Sequence, residues 1–165
     1  MSHTRSQSRL NLFEQSPELV KKLQDFSMAI ANSGQIETRL AYLVDIRASQ
    51  MNGCAFCLDM HVKQTKLHDE RELRLHHVAI WRESPLFSPK ERAALALTEA
   101  LTEIAPGGIS DELYAELREQ FSEKELSTLI FRVAGINAWN RANVAVRSTP
   151  GLLDKAFGLD KAGLA

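Results

Sequence analysis

Cysteine, net charge and long apolar runs are all scarce in this chain, and each scarcity removes a class of protein. Only two cysteines occur among 165 residues, both within Cys54-Ala55-Phe56-Cys57. Secreted disulfide scaffolds use more of them at wider spacings, so the expected compartment is the cytoplasm. Lysine plus arginine (20) and aspartate plus glutamate (21) nearly cancel, for a formal net charge of −1. A surface so balanced has no general pull on phosphates or anionic lipid, which argues against nucleic acid and membrane as partners. No uncharged apolar stretch approaches the roughly 20 residues that span a bilayer. Met1 to Gln15 is polar and mixed in charge, without the basic start and apolar centre of a secretory leader. No Gly/Ser/Pro-rich linker, low-complexity tract or internal repeat divides the chain, so it reads as a single domain over residues 1–165. A domain near that length buries roughly 70% of the surface its unfolded chain exposes, and its core needs no covalent or metal staple.

What is present is helix. No segment alternates apolar and polar residues as a strand would, so the expected fold class is an all-α bundle. Ser16-Pro17 opens a helix that runs to about Asn32, before Gly34, since proline is tolerated in a first turn. A second helix covers about Glu37 to Met51 and stops at the breaker pair Asn52-Gly53. A third begins at or near Cys54 and ends around His68. A fourth, rich in charge, is expected from about Asp69 to Trp81. Ser88-Pro89-Lys90-Glu91 reads as a capping box opening a helix to about Glu103, and Pro106-Gly107-Gly108 forces a turn. Leu113, Leu117 and Phe121 share a stripe of a short helix over Asp111 to Phe121. Ser122 and Glu125 form a second capping box before a long helix to about Arg147. There Leu126, Leu129, Ile130 and Val133 repeat with the spacing of a buried face. Pro150 ends that helix, and the tail 148–165 is expected to add one more short one.

Two cysteines three apart lie on one helical face, and His61, four residues past Cys57, extends the stripe. His68 continues it. A thiolate rather than a thiol attacks peroxides and disulfides, and a free cysteine has a pKa near 8.5. Half-ionising it at neutral pH takes a shift of roughly 1.5 units, about 2 kcal/mol. A helix N-terminus supplies only about 0.3–1 kcal/mol towards an anion. A second group is required, and His61 is the candidate, either as a cation beside the thiolate or as the base that takes its proton. The alternatives are two thiols that merely pack, or a stabilising disulfide. The latter is weak, because closing so short a loop removes only about 2 kcal/mol of unfolded-state entropy. Zinc needs three or four ligands. Cys54, Cys57 and His61 offer three, with His68 the better fourth and at most one of His76 and His77 within range, so metal is not favoured.

The stretch Arg47-Ala48-Ser49-Gln50-Met51-Asn52-Gly53-Cys54-Ala55-Phe56-Cys57-Leu58-Asp59-Met60-His61 resembles the core of the alkylhydroperoxidase AhpD-like proteins of the carboxymuconolactone decarboxylase superfamily. Trp81-Arg82-Glu83-Ser84-Pro85, Glu91-Arg92-Ala93-Ala94-Leu95-Ala96 and Ile136-Asn137-Ala138-Trp139-Asn140-Arg141 are similar to later segments of the same group, so the likeness covers about residues 37–146. It implies an AhpD-like helical bundle, a homo-oligomer (trimer or hexamer), and reduction of hydroperoxides with no haem, flavin or metal cofactor. By that resemblance Cys57 is the peroxidatic cysteine that becomes a sulfenic acid. Cys54 resolves it into a disulfide, and a thiol or dithiol reductant protein restores the pair. The family's relay glutamate, twelve residues before the first cysteine, is replaced here by Tyr42. A phenol with a pKa near 10 passes a proton through its hydroxyl but is a poor base at neutral pH. A second relay position, often histidine or tyrosine, is Phe56. Two rival readings stand beside this one: a helical zinc- or thiol-sensing module, and an oligomeric interaction protein with residual redox activity.

Other residues receive plainer expectations. Tyr42 has a packing alternative, its hydroxyl satisfied by a neighbour. Trp81 and Trp139 are expected as core or interface anchors. Asn137, Asn140 and Arg141 interrupt an apolar helix face and are expected to cap a neighbouring helix or fix a subunit contact. Asp59 is expected to be solvated, and Lys66 to Arg74 to be a solvent-facing charge run. Phe56, Leu58 and Met60 would favour organic hydroperoxides.

Overall fold

The computed structural model describes residues 8–164, and among these no strand occurs. The helices are α1 (Leu12–Gln15), α2 (Pro17–Asn32), α3 (Thr38–Met51), α4 (Ala55–Leu67), α5 (Glu72–His77), α6 (Pro89–Thr102), α7 (Asp111–Gln120), α8 (Glu123–Val146) and α9 (Asp154–Phe157). Two 3-10 segments, Val78–Glu83 and Leu159–Ala162, follow α5 and α9. The all-α expectation holds, and both capping boxes form. Ser88 Oγ accepts from the Glu91 N–H at 3.3 Å while Glu91 accepts from the Ser88 N–H at 2.7 Å. Ser122 and Glu125 repeat the exchange at 3.3 and 2.8 Å. Each box satisfies two of the donors that a helix start leaves orphaned.

Three boundaries depart from the expectation. The short turn α1, capped by the Asn11 side chain, lies where the polar composition signalled no helix. The fourth helix starts at Glu72 rather than Asp69, because Asp69 takes a left-handed backbone, φ 57°. Beyond His77 that helix tightens into a 3-10 segment bent at Ile80, φ −121°.

The central element is α3. Leu40, Ala41, Leu43, Val44, Asp45, Ile46, Ala48 and Ser49 are all buried, so this helix has almost no solvent face. Leu40 and Val44 join Ala94, Leu97, Leu117, Leu129 and Val133 in one core, between α6, α7 and α8. Leu43 and Ile46 join Val78, Trp81, Phe87 and Leu95 in a second. Each such side chain contributes about 1.5–3 kcal/mol by leaving water. Wrapped in this way, α3 holds both helices that carry the polar side chains described next, α4 and α8, against itself.

Candidate redox site

The site begins at the joint between α3 and α4. Asn52 caps α3, and Gly53 turns the chain with φ +64°, a left-handed conformation that a side chain would strain. Asn52 Nδ2 donates to Asn137 Oδ1 and to Asn140 Oδ1, both at 2.9 Å. Asn140 Nδ2 donates to Ser49 Oγ at 3.1 Å, and Arg141 Nη1 to Asn137 Oδ1 at 2.6 Å. The asparagines that interrupt the apolar face of α8 therefore clamp the turn that precedes Cys54. This is the neighbouring-helix cap that their sequence positions suggested. Buried amides are costly unless paired, and here each pairing also locates the chain.

Cys54 is the N-cap of α4, its sulfur accepting from the Cys57 N–H at 3.3 Å. The two cysteines form a disulfide with Cα atoms 5.4 Å apart. Both are buried, at 2% and 1% exposed, in a cluster with Phe56 against which Leu153 packs. One turn on, His61 is buried as well. Its Nδ1 lies 2.8 Å from Gln64 Oε1 and 3.5 Å from Asp45 Oδ2. Its Nε2 is the buried side-chain polar atom, among the described residues, that has no hydrogen-bond partner, so it bonds neither sulfur in this disulfide form. Burial pushes the imidazole pKa below its ordinary value; Asp45 and Gln64 pull the other way without offsetting it, and Arg132 adds to the fall. Of the two roles open to His61, neutral base and standing cation, this environment suits the base.

Asp45, 1% exposed, receives two bonds from Arg132, Nε to Oδ1 at 2.9 Å and Nη2 to Oδ2. Neither residue was singled out from the sequence as a site member. The available signal was a carboxylate within Leu43–Ile46 and a guanidinium within Leu129–Val133, each charge set in an apolar helix face. Tyr42, half-buried, meets His68 with its hydroxyl 3.5 Å from Nε2 and the ring centroids 5.4 Å apart. His68 thus pairs with Tyr42 and does not extend the dithiol stripe. Burial first, with Asp45 adding and Arg132 opposing, raises the Tyr42 pKa. A donor that holds its proton is the only relay role this allows.

Cys57, His61, Tyr42, Asp45 and Arg132 line one end of a cavity of about 620 Å³. Its other walls are largely apolar: Phe13 of α1, Met28 and Ile30 of α2, Ile136 and Trp139 of α8, and Leu153 and Phe157 of the tail. Phe56 and Met60 reach this cavity; Leu58 does not and packs beside the Leu43–Trp81 core. Trp81 is the core anchor expected, whereas half-buried Trp139 is a cavity wall. A second hollow of about 640 Å³ holds Glu99 with Arg47 and Arg82 and carries neither cysteine nor histidine. Among the described residues no group of three His, Cys, Asp or Glu side chains converges as a metal ion would need.

Two plainer expectations are corrected. Asp59 is not solvated: it accepts from Lys63 Nζ at 2.8 Å and from the Gly151 N–H at 3.1 Å. Lys63 also reaches Asp154 at 2.7 Å, so the tail is tied to the back of α4. The Lys66–Arg74 run is not wholly solvent-facing, because Glu70 is buried beneath Arg74, with Oε1 2.9 Å from Nε.

A helical bundle with a CxxC disulfide at a helix start, and a cavity opening on its second cysteine, defines a helical dithiol protein. The chain belongs to the carboxymuconolactone decarboxylase family, whose pattern matches residues 17–100, and within it to the AhpD-like group. The match begins at α2, earlier than the resemblance at residue 37 indicated. The chain is 38% identical to the uncharacterized protein YdfG of Bacillus subtilis over 84% of its own length and 93% of that protein. It superposes with TM-score 0.85 and 37% identity on ATU0492 of Agrobacterium tumefaciens, a protein of unknown function described as a candidate antioxidant defence protein AhpD, covering 88% of this chain and 99% of that one. The debrominase Bmp8, solved with 2,3,4-tribromopyrrole, has the same fold at TM-score 0.74 and 24% identity, with 91% and 79% of the two chains covered. No helix among the described residues is long and apolar enough to cross a membrane.

Proposed function

We propose that this protein is a cofactor-independent thiol peroxidase that reduces organic hydroperoxides through Cys57 and Cys54. The observation that carries the reading is the placement of Cys57 and His61 together on an apolar cavity, with Cys54 bonded to Cys57. In the dithiol form His61 Nε2 takes the Cys57 proton, and the thiolate attacks the terminal oxygen of the hydroperoxide. The O–O bond breaks, Cys57 becomes a sulfenic acid, and the alkoxide leaves as an alcohol with the proton from His61. The Cys54 thiol then displaces water from the sulfenic sulfur and forms the disulfide. A thiol or dithiol reductant protein supplies the two electrons that reopen it.

The N–H of the helix start that Cys54 Sγ already receives stabilises its thiolate, which helps it attack the Cys57 sulfenic sulfur and, when the reductant opens the disulfide at Cys57, helps it leave. The cavity wall suits a substrate with a bulky apolar body, since hydrogen peroxide would fill little more than about 30 Å³, one water's share of volume. A dithiol that must be regenerated fits the cytoplasm. Exposed Leu19, Met28 and Phe131 offer apolar surface for a trimer or hexamer. Consumption of cumene hydroperoxide with a dithiol donor should fall to background in Cys57→Ser, and an unchanged rate in that variant removes the peroxidase reading.

A further inference from the structure

The mechanism needs an unprotonated Nε2 on His61, and one set of residues behind the ring determines whether it has one. Nδ1 faces two oxygens, Gln64 Oε1 at 2.8 Å and Asp45 Oδ2 at 3.5 Å. A carboxamide can be turned to present its NH₂ group instead, whereas a carboxylate has no donor to present. Asp45 cannot turn away either, because Arg132 holds both of its oxygens from α8. A ring proton on Nδ1 is thereby satisfied twice, and the lone pair is left on Nε2, buried and unpaired. No other cation among the described residues faces this end of the cavity, and the neighbouring hydroxyl, Tyr42, is engaged with His68.

We propose that Asp45, clamped by Arg132, is the positioning residue that keeps the His61 proton on Nδ1 and stabilises the imidazolium formed when Nε2 takes the Cys57 thiol proton. The step moves one proton from Sγ to Nε2 and transfers no electrons. A carboxylate behind an imidazole does this in other active sites by fixing the tautomer and offsetting the new charge. The alternative, an ion pair that only ties α3 to α8, leaves the shared Oδ2 without a purpose. The assignment rests on the peroxidase reading for its biological use, but not for its chemistry.

The test is the pH dependence of Cys57 alkylation by iodoacetamide in reduced protein carrying Cys54→Ser, a change that keeps an N-cap side chain. Asp45→Asn alone would strand the Arg132 charge, so it is combined with Arg132→Gln. The apparent thiol pKa should rise by about one unit, with alkylation at pH 7 slower by about tenfold, and Asp45→Glu should return most of the rate. A profile that does not move in Asp45→Asn/Arg132→Gln overturns the assignment. If the double variant does not fold, ¹⁵N NMR of His61 in the unaltered reduced protein decides: the Nδ1–H tautomer supports the assignment and the Nε2–H tautomer overturns it. Hydroperoxide turnover measured in parallel separates the two claims. A displaced profile without turnover in the native chain sinks the peroxidase and keeps Asp45, and turnover with an undisplaced profile does the reverse.

Discussion

Helix α4 carries a buried ionic cluster on each side, and they differ in one respect. His61 and Lys63, two residues apart, point about 200° from each other around the helix. Lys63 is fully met, with Asp59 and Asp154 on its ammonium and the Gly151 N–H donating to the same Asp59 oxygen, Oδ2. Burial works against its charge, yet the two acids more than compensate and the pKa stands above its ordinary value. His61 is met at one nitrogen and left open at the other. An unmade bond at a buried polar atom costs about 1–3 kcal/mol. The Lys63 side ties the tail down, whereas the His61 side keeps an unpaired polar atom in a residue that lines a cavity.

The comparison can be broken most forcefully at His61. His61→Gln should slow Cys57 alkylation at pH 7 by about 10²-fold, the lower end of what a general base contributes, while leaving the fold intact by circular dichroism. The same variant should change the pH dependence of stability. His61 has a lower pKa in the fold than in the unfolded chain, where it is about 6.5, so below that pH the unfolded state binds more protons. Stability should therefore decline as pH falls from about 6.5, and the Gln variant should lose that part of the slope. Thermal melts from pH 7.5 to 5 measure this, and parallel curves for the two proteins would contradict the buried, uncharged ring.

On the other side, Lys63→Met should cost about 1.5–3 kcal/mol, the value of hydrogen bonds to charged groups, lowering Tm on the order of 5–10 °C for a chain of this size. Its alkylation profile should not move; a displaced profile would show that the two sides of α4 are coupled. Leu153→Ala uncovers the disulfide, and reduction by dithiothreitol should accelerate about threefold, since access is one determinant of exchange rate. The smallest effect is expected at Tyr42. Tyr42→Phe removes a long contact to exposed His68 and should alter stability by less than about 1 kcal/mol, with turnover within about threefold. A loss of hydroperoxide turnover by an order of magnitude there would return the relay role to Tyr42.

Much of this was legible in the residues. The caps Ser88/Glu91 and Ser122/Glu125 announce two helix starts because the hydrogen bonds they make are local. Asn52-Gly53 marks the break before the dithiol for the same reason. The pair Cys54/Cys57 and the position of His61 follow from helical spacing, since they share one element. The side-chain expectations that failed did so through contacts distant in sequence. Asp59 looks like a surface acid until Gly151 and Asp154 fold over it, and the Lys66–Arg74 run looks solvated until Glu70 is buried under Arg74. His68 follows the stripe in sequence, yet Tyr42 of α3 claims it.

Helix content, the capped starts of α6 and α8 and the order of thiol, thiol and imidazole along α4 were determined by the sequence alone, because each depends on interactions within one or two turns. Tertiary structure decided which residue stands behind that imidazole. Asp45 and Arg132 lie 87 positions apart, and only the packing of α3 against α4 and α8 brings one carboxylate against both a guanidinium and a histidine ring. Charges buried in helices that are apolar almost all round have no local partner, so their meaning arises only when another helix supplies one.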